Sequence, residues 1–471
     1  MRVLLVNTNR ERAPQPVIPL GLCLIASATE AAGHQVKVLD LCFARHPDQE
    51  LVTTIKEFSP QAIGLSIRNL DNGEYSGPVS YLPFAARMAQ LCHEHSAVPL
   101  IIGGPAVSVA PAEVRTLLEA DYAVGGEGEQ VFPQLLGRID AHQAVDDLTG
   151  VYTPTTAAEV AAQVGDLRDL PPSQAGRWLD LGRYLRWGST MSLQSKRGCA
   201  LRCIYCTYQL IEGCRYRLRS PEIVMEELRE AYHCWGVRRF EFVDSTFNHP
   251  PRHALELCEA ISRAGLAAEM YTMGFNPAGA SRELLQLMKR ARFNAMLCSP
   301  DSGSDTMLHN LCKGFSADQV AQTAAYAQEA GVSVLWSFMF GGPGETEGTV
   351  RETVALIDSA LGPRDRMLCT VGLRVYPHTE LEQIARAAGV VAPDDDLLKP
   401  KFYLSPQISE GRILELLDSS RRRSQMMRLG ALQQPCIPLA LRAKTALQLP
   451  GSPWIAIPLY NLMRRWFKFG K

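Results

Sequence analysis

Cys199, Cys203 and Cys206 fall at CxxxCxxC spacing in "SKRGCALRCIYCTYQLIEGCRYRLRSPE", residues 195–222. A structural zinc site needs a second pair of ligands to close its tetrahedron, and this loop offers only three closely spaced thiols. A dithiol redox motif needs two cysteines at a strand-to-helix turn, and here the third is surplus. Iron–sulfur clusters are held by cysteine thiolates. Three thiolates on a four-iron cube leave one iron without a protein ligand, open to a cofactor or substrate. Cys214 lies eight residues beyond Cys206, outside the compact loop. Were it the fourth ligand, the centre would be closed, and the chain would be an electron carrier or redox sensor rather than an enzyme.

Such a loop has to be mounted on something rigid. Before it, short apolar runs alternate with helical patterns, from "RVLLVN" through "QVKVLDL", "QAIGLSI" and "VPLIIGG" to "DYAVGGEGE". Strands that are apolar throughout belong to a parallel sheet covered by helices on both faces. The pattern predicts an α/β, Rossmann-like domain of about five strands over residues 1–145, then a Thr-, Pro- and Gly-containing linker over 146–185. After the cysteines a second series runs through "RRFEFVDS", "AEMYTMGF", "NAMLCSPDSG", "SVLWSFMFGG" and "MLCTVGLRVYP". With one strand before the cysteine loop this gives about six βα units over 186–390, a partial barrel rather than an eightfold one. Residues 391–471 are left as a C-terminal extension.

Composition narrows the function classes. Lys and Arg number 48 against 49 Asp and Glu, which argues against a globally basic nucleic-acid binder. Ten basic residues and no acidic one follow Asp418, a tail read as solvated, with an anionic partner or surface as the alternative. No targeting segment or apolar run of membrane-spanning length is visible. The expected compartment is the cytoplasm, where the 13 cysteines are reduced thiols or metal ligands.

The cysteine loop, with the aromatic Tyr205 just before its last ligand and a partial barrel after it, resembles the radical S-adenosylmethionine (SAM) superfamily. The resemblance implies a 4Fe-4S cluster on Cys199, Cys203 and Cys206, with SAM chelating the open iron. "FEFVDSTFN" is similar to the second-strand segment, implying that Asp244 and Ser245 hold the SAM amino group. "SPDSGSD" resembles a strand signature usually written with Glu before Ser-Gly-Ser. Here Asp301, one methylene shorter, and Ser302 stand in it, so the ribose contact that the family's Glu makes is not carried over to Asp301 as it stands. "FMFGGPGETE" is similar to the turn beside the adenine, with Gly341 and Gly342 permitting close approach.

The preceding α/β domain resembles that of the cobalamin-binding subgroup, with Gly103 and Gly104 in "LIIGGPAVSV" and Gly126 and Glu127 in "DYAVGGEGE". The DxHxxG motif that supplies a histidine to cobalt is absent. In its place "LSIRNLDN", with Ser66, Arg68 and Asn69, resembles cobalamin-dependent tryptophan C2-methylases. A cation cannot ligate a metal, so Arg68 beneath the corrin would leave cobalt without a lower protein ligand.

These resemblances imply a cobalamin-dependent methyltransferase acting on carbon of a small natural-product precursor, supplied with electrons by a flavodoxin- or ferredoxin-type donor. Arg374 and Tyr376 in "LRVYP" either face the substrate or close the barrel. Arg215, Arg217 and Arg219 either meet an anion or pair with acids. A second reading keeps the architecture but transfers the 3-amino-3-carboxypropyl group of SAM, as in hydroxyarsinothricin synthesis. It needs a soft-ligand site, for which Cys214, Cys298 and Cys312 are the candidates and Cys298 the strongest.

Overall fold

The computed structural model describes residues 1–156, 160–428 and 436–446. Strands β1 (Arg2–Asn7), β2 (Gln35–Asp40), β3 (Ala62–Ser66), β4 (Leu100–Gly103), β5 (Tyr122–Val124) and β6 (Val151–Tyr152) form one sheet. Its order is β2-β1-β3-β4-β5-β6. The first five are parallel, and β6 is antiparallel to β5. The sheet thus takes in residues that the sequence suggests for the linker. Along β1, Leu4 and Val6 join the core beneath helices Pro47–Phe58 and Leu82–His95, while Val3 and Leu5 join the core beneath Leu20–Ala31 and Gly128–Asp140. Burial on both faces is why these strands read as unbroken apolar runs. The chain leaves β1 in one direction for β2 and returns to β3 on the other side. That reversal opens a crevice above the carboxyl ends of β1 and β3, the usual ligand position in such sheets.

The second sheet begins with β7 (Met191–Leu193). A short hairpin follows, β8 (Lys196–Arg197) with β9 (Arg217–Leu218), and brackets the cysteine loop. Then come β10 (Arg239–Phe242), β11 (Glu269–Phe275), β12 (Phe293–Asp301), β13 (Ser333–Phe340) and β14 (Arg366–Val371). A second hairpin, β15 (Leu373–Arg374) with β16 (Phe402–Tyr403), precedes the last strand, β17 (Met426–Arg428). The order β17-β14-β13-β12-β11-β10-β7 is parallel throughout. The six strands expected from sequence are present, and β17 adds a seventh from the stretch read as an extension.

Side chains alternate across this sheet. Phe240, Phe242, Trp336 and Phe338 are fully buried with helix residues such as Leu257 and Leu285. Arg239, Glu241, Ser337 and Met339, at the intervening positions, turn to the concave side. Ser316 and Gln319 form a capping box that starts helix Ala317–Ala330, fixing where β12 hands over to β13.

Among the described residues no helix is long and apolar enough to cross a membrane. Of the basic tail, Arg423 pairs with Asp418 at 2.8 Å and Arg442 lies 4.2 Å from the Trp187 ring centroid. Arg464, Arg465, Lys468 and Lys471 lie outside the described residues.

Candidate functional site

The cysteine loop leaves β8 at Gly198, whose φ is +87° and whose missing Cβ would stand 2.0 Å from the Arg215 carbonyl oxygen. Only glycine fits there. The loop is tied down by the segment after β10. Asp244 accepts from the Ser195 amide at 2.7 Å and from Ser195 Oγ at 2.5 Å, and Ser245 Oγ donates to the Gly198 carbonyl at 2.7 Å. Thr246 Oγ1 lies 3.8 Å from Cys199 Sγ. Asp244 and Ser245, expected to hold the SAM amino group, are thus occupied in anchoring the loop.

Cys199 is buried, and Cys203 and Cys206 are partly exposed. Burial is the main cause that raises Cys203 and pushes Cys206 up to about 12, and the neighbouring thiols add to it. Left alone, such thiols stay protonated, and bound metal is what makes them thiolates. Among the described residues no three His, Cys, Asp or Glu close on a single metal ion. A multi-iron cluster has no such requirement, because each cysteine meets a different iron. The donor set fits a cluster. Cys214 is exposed to solvent.

The two domains meet at the foot of this loop. Arg197, two residues before Cys199, donates to Glu129 at 2.6 and 3.2 Å and stands 3.3 Å from Glu127. Arg217 on β9 donates to Glu127 at 2.8 Å, and the Val164 amide donates to the same carboxylate at 2.7 Å. Glu127 and Glu129 are almost wholly buried. The "GEGE" stretch, read as a cobalamin contact, instead clasps the hairpin that carries the cysteines. Gly126 serves that packing, since a Cβ would stand 2.3 Å from the Ala162 carbonyl oxygen. Of the neighbouring arginines, Arg219 likewise pairs with an acid, Glu227, at 2.9 Å.

Around the barrel mouth several expected contacts are taken by the protein itself. Asp301 Oδ2 accepts from Lys313 Nζ at 2.6 Å and from the Tyr205 hydroxyl. Ser302 Oγ pairs with Thr353 Oγ1 at 3.0 Å. Gly341 and Gly342 pack beneath Leu404, Met307 and Leu311 rather than facing open space. Arg374 is buried, donates to Asp71 and to the Leu397 carbonyl at 2.8 Å each, and lies over the Tyr376 ring. Tyr376 packs on the first domain's core, so this pair closes the domain seam instead of facing substrate. Cys298 is fully buried beside Trp336 in the apolar layer under the helices. Burial raises its thiol far above the usual range, and it does not line the concave side. The exposed Cys214 and Cys312 cannot share a site with it.

Above β1 and β3, at the topological switch, lies a cavity of about 230 Å³ lined by Thr8, Asn9, Arg10, Glu11, Ile67, Arg68, Asn69, Tyr81 and Phe84. Gly104 helps to shape it: a Cβ there would stand 2.6 Å from the Ile67 carbonyl oxygen, so the loop carrying Arg68 packs directly on the strand below. The Gly103 carbonyl accepts from the Ile67 amide at 2.8 Å, and the Ser66 carbonyl from Thr8 Oγ1 at 2.8 Å. Arg68 forms no salt bridge or side-chain hydrogen bond with a described residue. Burial lowers its pKa, and the groups that act on it include Tyr208, two residues past Cys206, and Glu241 on β10. A mostly buried guanidinium with no described partner, between the switch point and the cysteine loop, leaves the cavity a positive charge to offer a polar ligand group. No histidine or cysteine lines it.

Of the residues singled out from the sequence, the three cysteines share one loop and Arg68 and Asn69 line one cavity, whereas Glu129, Thr246, Lys313 and Glu241 were not singled out. A lone lysine before a glycine in "LCKGF" carries no local signal of its partner.

Two family profiles match the chain: the B12 binding domain over residues 7–136 and the radical SAM superfamily over residues 193–357. An uncharacterized methyltransferase of Pyrococcus horikoshii is 25% identical over 436 residues, covering 87% of this chain and 90% of that protein. The tryptophan 2-C-methyltransferase of Streptomyces laurentii is 23% identical over 454 residues, covering 80% of this chain and 73% of that one. The solved structure of the radical SAM methyltransferase TsrM from Kitasatospora setae, with tryptophan and a SAM analogue, has the same fold. It superimposes with a TM-score of 0.84 and 21% identity over 99% of both chains. The chain thus carries a B12-binding domain over residues 7–136 and a radical SAM domain over residues 193–357.

Proposed function

We propose that the protein is a cobalamin-dependent radical SAM methyltransferase that moves the methyl group of SAM to a carbon of a small natural-product precursor. The observation that carries this reading is the switch-point cavity, where Arg68 stands unpaired and turned toward the cysteine loop. When bound, the 4Fe-4S cluster on Cys199, Cys203 and Cys206 supplies the open iron for SAM, and cobalamin in the cavity supplies the metal that carries the methyl group.

The chain's own residues do the rest by position. The Glu127–Glu129 clasp fixes the cysteine loop against the first domain, so the two cofactor sites keep one separation. If cobalamin is held there, Arg68 would offer a cation that cannot ligate a metal, and no histidine or cysteine among the lining residues would be at hand to do so. Leu297, Leu335 and Met339 turn apolar groups to the concave side beside Glu241, which suits a small, partly apolar acceptor and excludes water. A flavodoxin- or ferredoxin-type donor would supply the electron that reduces such a cluster. Reduced thiols and a cluster of this kind suit the cytoplasm.

The test is a product census. Protein reconstituted anaerobically with iron and sulfide is given SAM and reductant, with and without hydroxocobalamin, and the nucleosides are identified by mass spectrometry. S-adenosylhomocysteine formed only with cobalamin is the expected result. Methylthioadenosine formed without cobalamin would mean that the aminocarboxypropyl group is transferred instead.

A further inference from the structure

Lys313 is a buried cation that neither the fold nor the methyl-transfer reading requires. Its side chain is 6% exposed. Its ammonium donates to Asp301 Oδ2 at 2.6 Å and to the Tyr205 hydroxyl at 3.1 Å. It lies 5.7 Å from the Tyr205 ring centroid and 5.8 Å from that of Phe315. Tyr205 stands between Cys203 and Cys206, immediately before the latter. The charge of Lys313 acts on both of these cysteines.

Holding it there is costly. A buried ion pair is often no more stabilising than apolar side chains of the same size. Asp301, the counterion, sits at φ +69°, in the left-handed region that non-glycine residues avoid. A strained carboxylate and a desolvated ammonium beside a cluster loop point to electrostatics as their use. Cluster potentials respond to local charge and to hydrogen bonding. Reduction adds one electron, and a fixed cation in a low-dielectric setting stabilises the added negative charge.

We infer that Lys313 sets the reduction potential of the cluster held by Cys199, Cys203 and Cys206, acting as a fixed positive charge through its contact with Tyr205 and trimmed by Asp301. The inference rests on those cysteines holding the cluster, and it concerns a positioning charge, not a group that touches substrate.

Two substitutions separate charge from packing because they move the potential in opposite directions. In anaerobically reconstituted protein with matched iron and sulfide content, the midpoint potential is read by reductive titration and the EPR signal of the reduced cluster. Lys313→Gln removes the cation and shifts the potential negative. Lys313→Arg keeps the charge and restores it toward wild type. Asp301→Asn uncovers the cation and shifts the potential positive. A loaded Lys313→Gln protein with an unchanged or more positive potential overturns the inference. Should that variant fail to take up iron, Asp301→Asn decides: no shift, or a negative one, overturns it equally. Wild-type protein that holds no cluster is a different failure, that of the ligand assignment itself.

Discussion

Glu345, in the Gly-Gly-Pro-Gly-Glu turn, is buried and accepts hydrogen bonds from the Gly341 amide and from Thr349 Oγ1, each at 3.0 Å. Burial outweighs those bonds and pushes its carboxyl up to about 7. Since the folded value lies above the unfolded one, the stability this group contributes is fully present below about pH 4.5 and is lost as pH rises through 7. Relative to Glu345→Gln, the wild type should lose about 3 kcal/mol between pH 4.5 and pH 8. Urea denaturation of both proteins at each end of the range checks it, and a constant difference would place the group in water. The same scale shows what a sequence discloses. The cysteines are legible because their spacing is local, and Arg68 because it sits in a short recognisable segment. Asp244 and Ser245 are legible as important but not as loop anchors, because Ser195 and Gly198 are more than 40 residues away in the chain. Lys313 meets Tyr205 across 108 residues and Arg197 meets Glu129 across 68, and nothing local announces either pairing.

Secondary structure is the level at which sequence reading succeeds most fully. All five parallel strands of the first sheet coincide with apolar runs, because strands covered on both faces must be apolar, and six of the second are found from runs that alternate apolar with polar residues or stay apolar. The strands of these two sheets that were missed are β6, of two residues, and β17, of three, too short to show any periodicity. β17 nevertheless matters. It pairs with β14 through Met367–Met426 to Cys369–Arg428, and without it β14 becomes an open edge. A chain truncated after Ser420 is expected to form concentration-dependent aggregates, seen by light scattering at concentrations where the full chain is monodisperse. Equal behaviour of the two would mean that β17 protects nothing.

Seen whole, the molecule is two α/β bodies joined by buried ion pairs: Glu127 and Glu129 to Arg197 and Arg217, and Asp71 to Arg374. Breaking a buried pair by removing one partner costs about 3–5 kcal/mol. Glu129→Gln leaves Arg197 a single carboxylate contact, at 3.3 Å to Glu127, beside its hydrogen bond to Gln194. Calorimetry should then show the single transition of the wild type separating into two, as the domains lose their coupling. A lone transition lowered as a unit would contradict the clasp. What composition and periodicity could not supply is this joint, and with it the relation between the cavity and the cysteine loop, which the structure brings to the same side of the seam. That relation is the centre of the account, and cobalamin occupancy tests it most directly. Wild type and Asn69→Trp, which fills the cavity with an indole, are loaded anaerobically with hydroxocobalamin, and bound cobalamin and iron are measured per chain. The account predicts about one cobalamin per wild-type chain and almost none in Asn69→Trp, with iron content equal in both. Wild type that binds none, or a filled variant that binds as well as wild type, would contradict it.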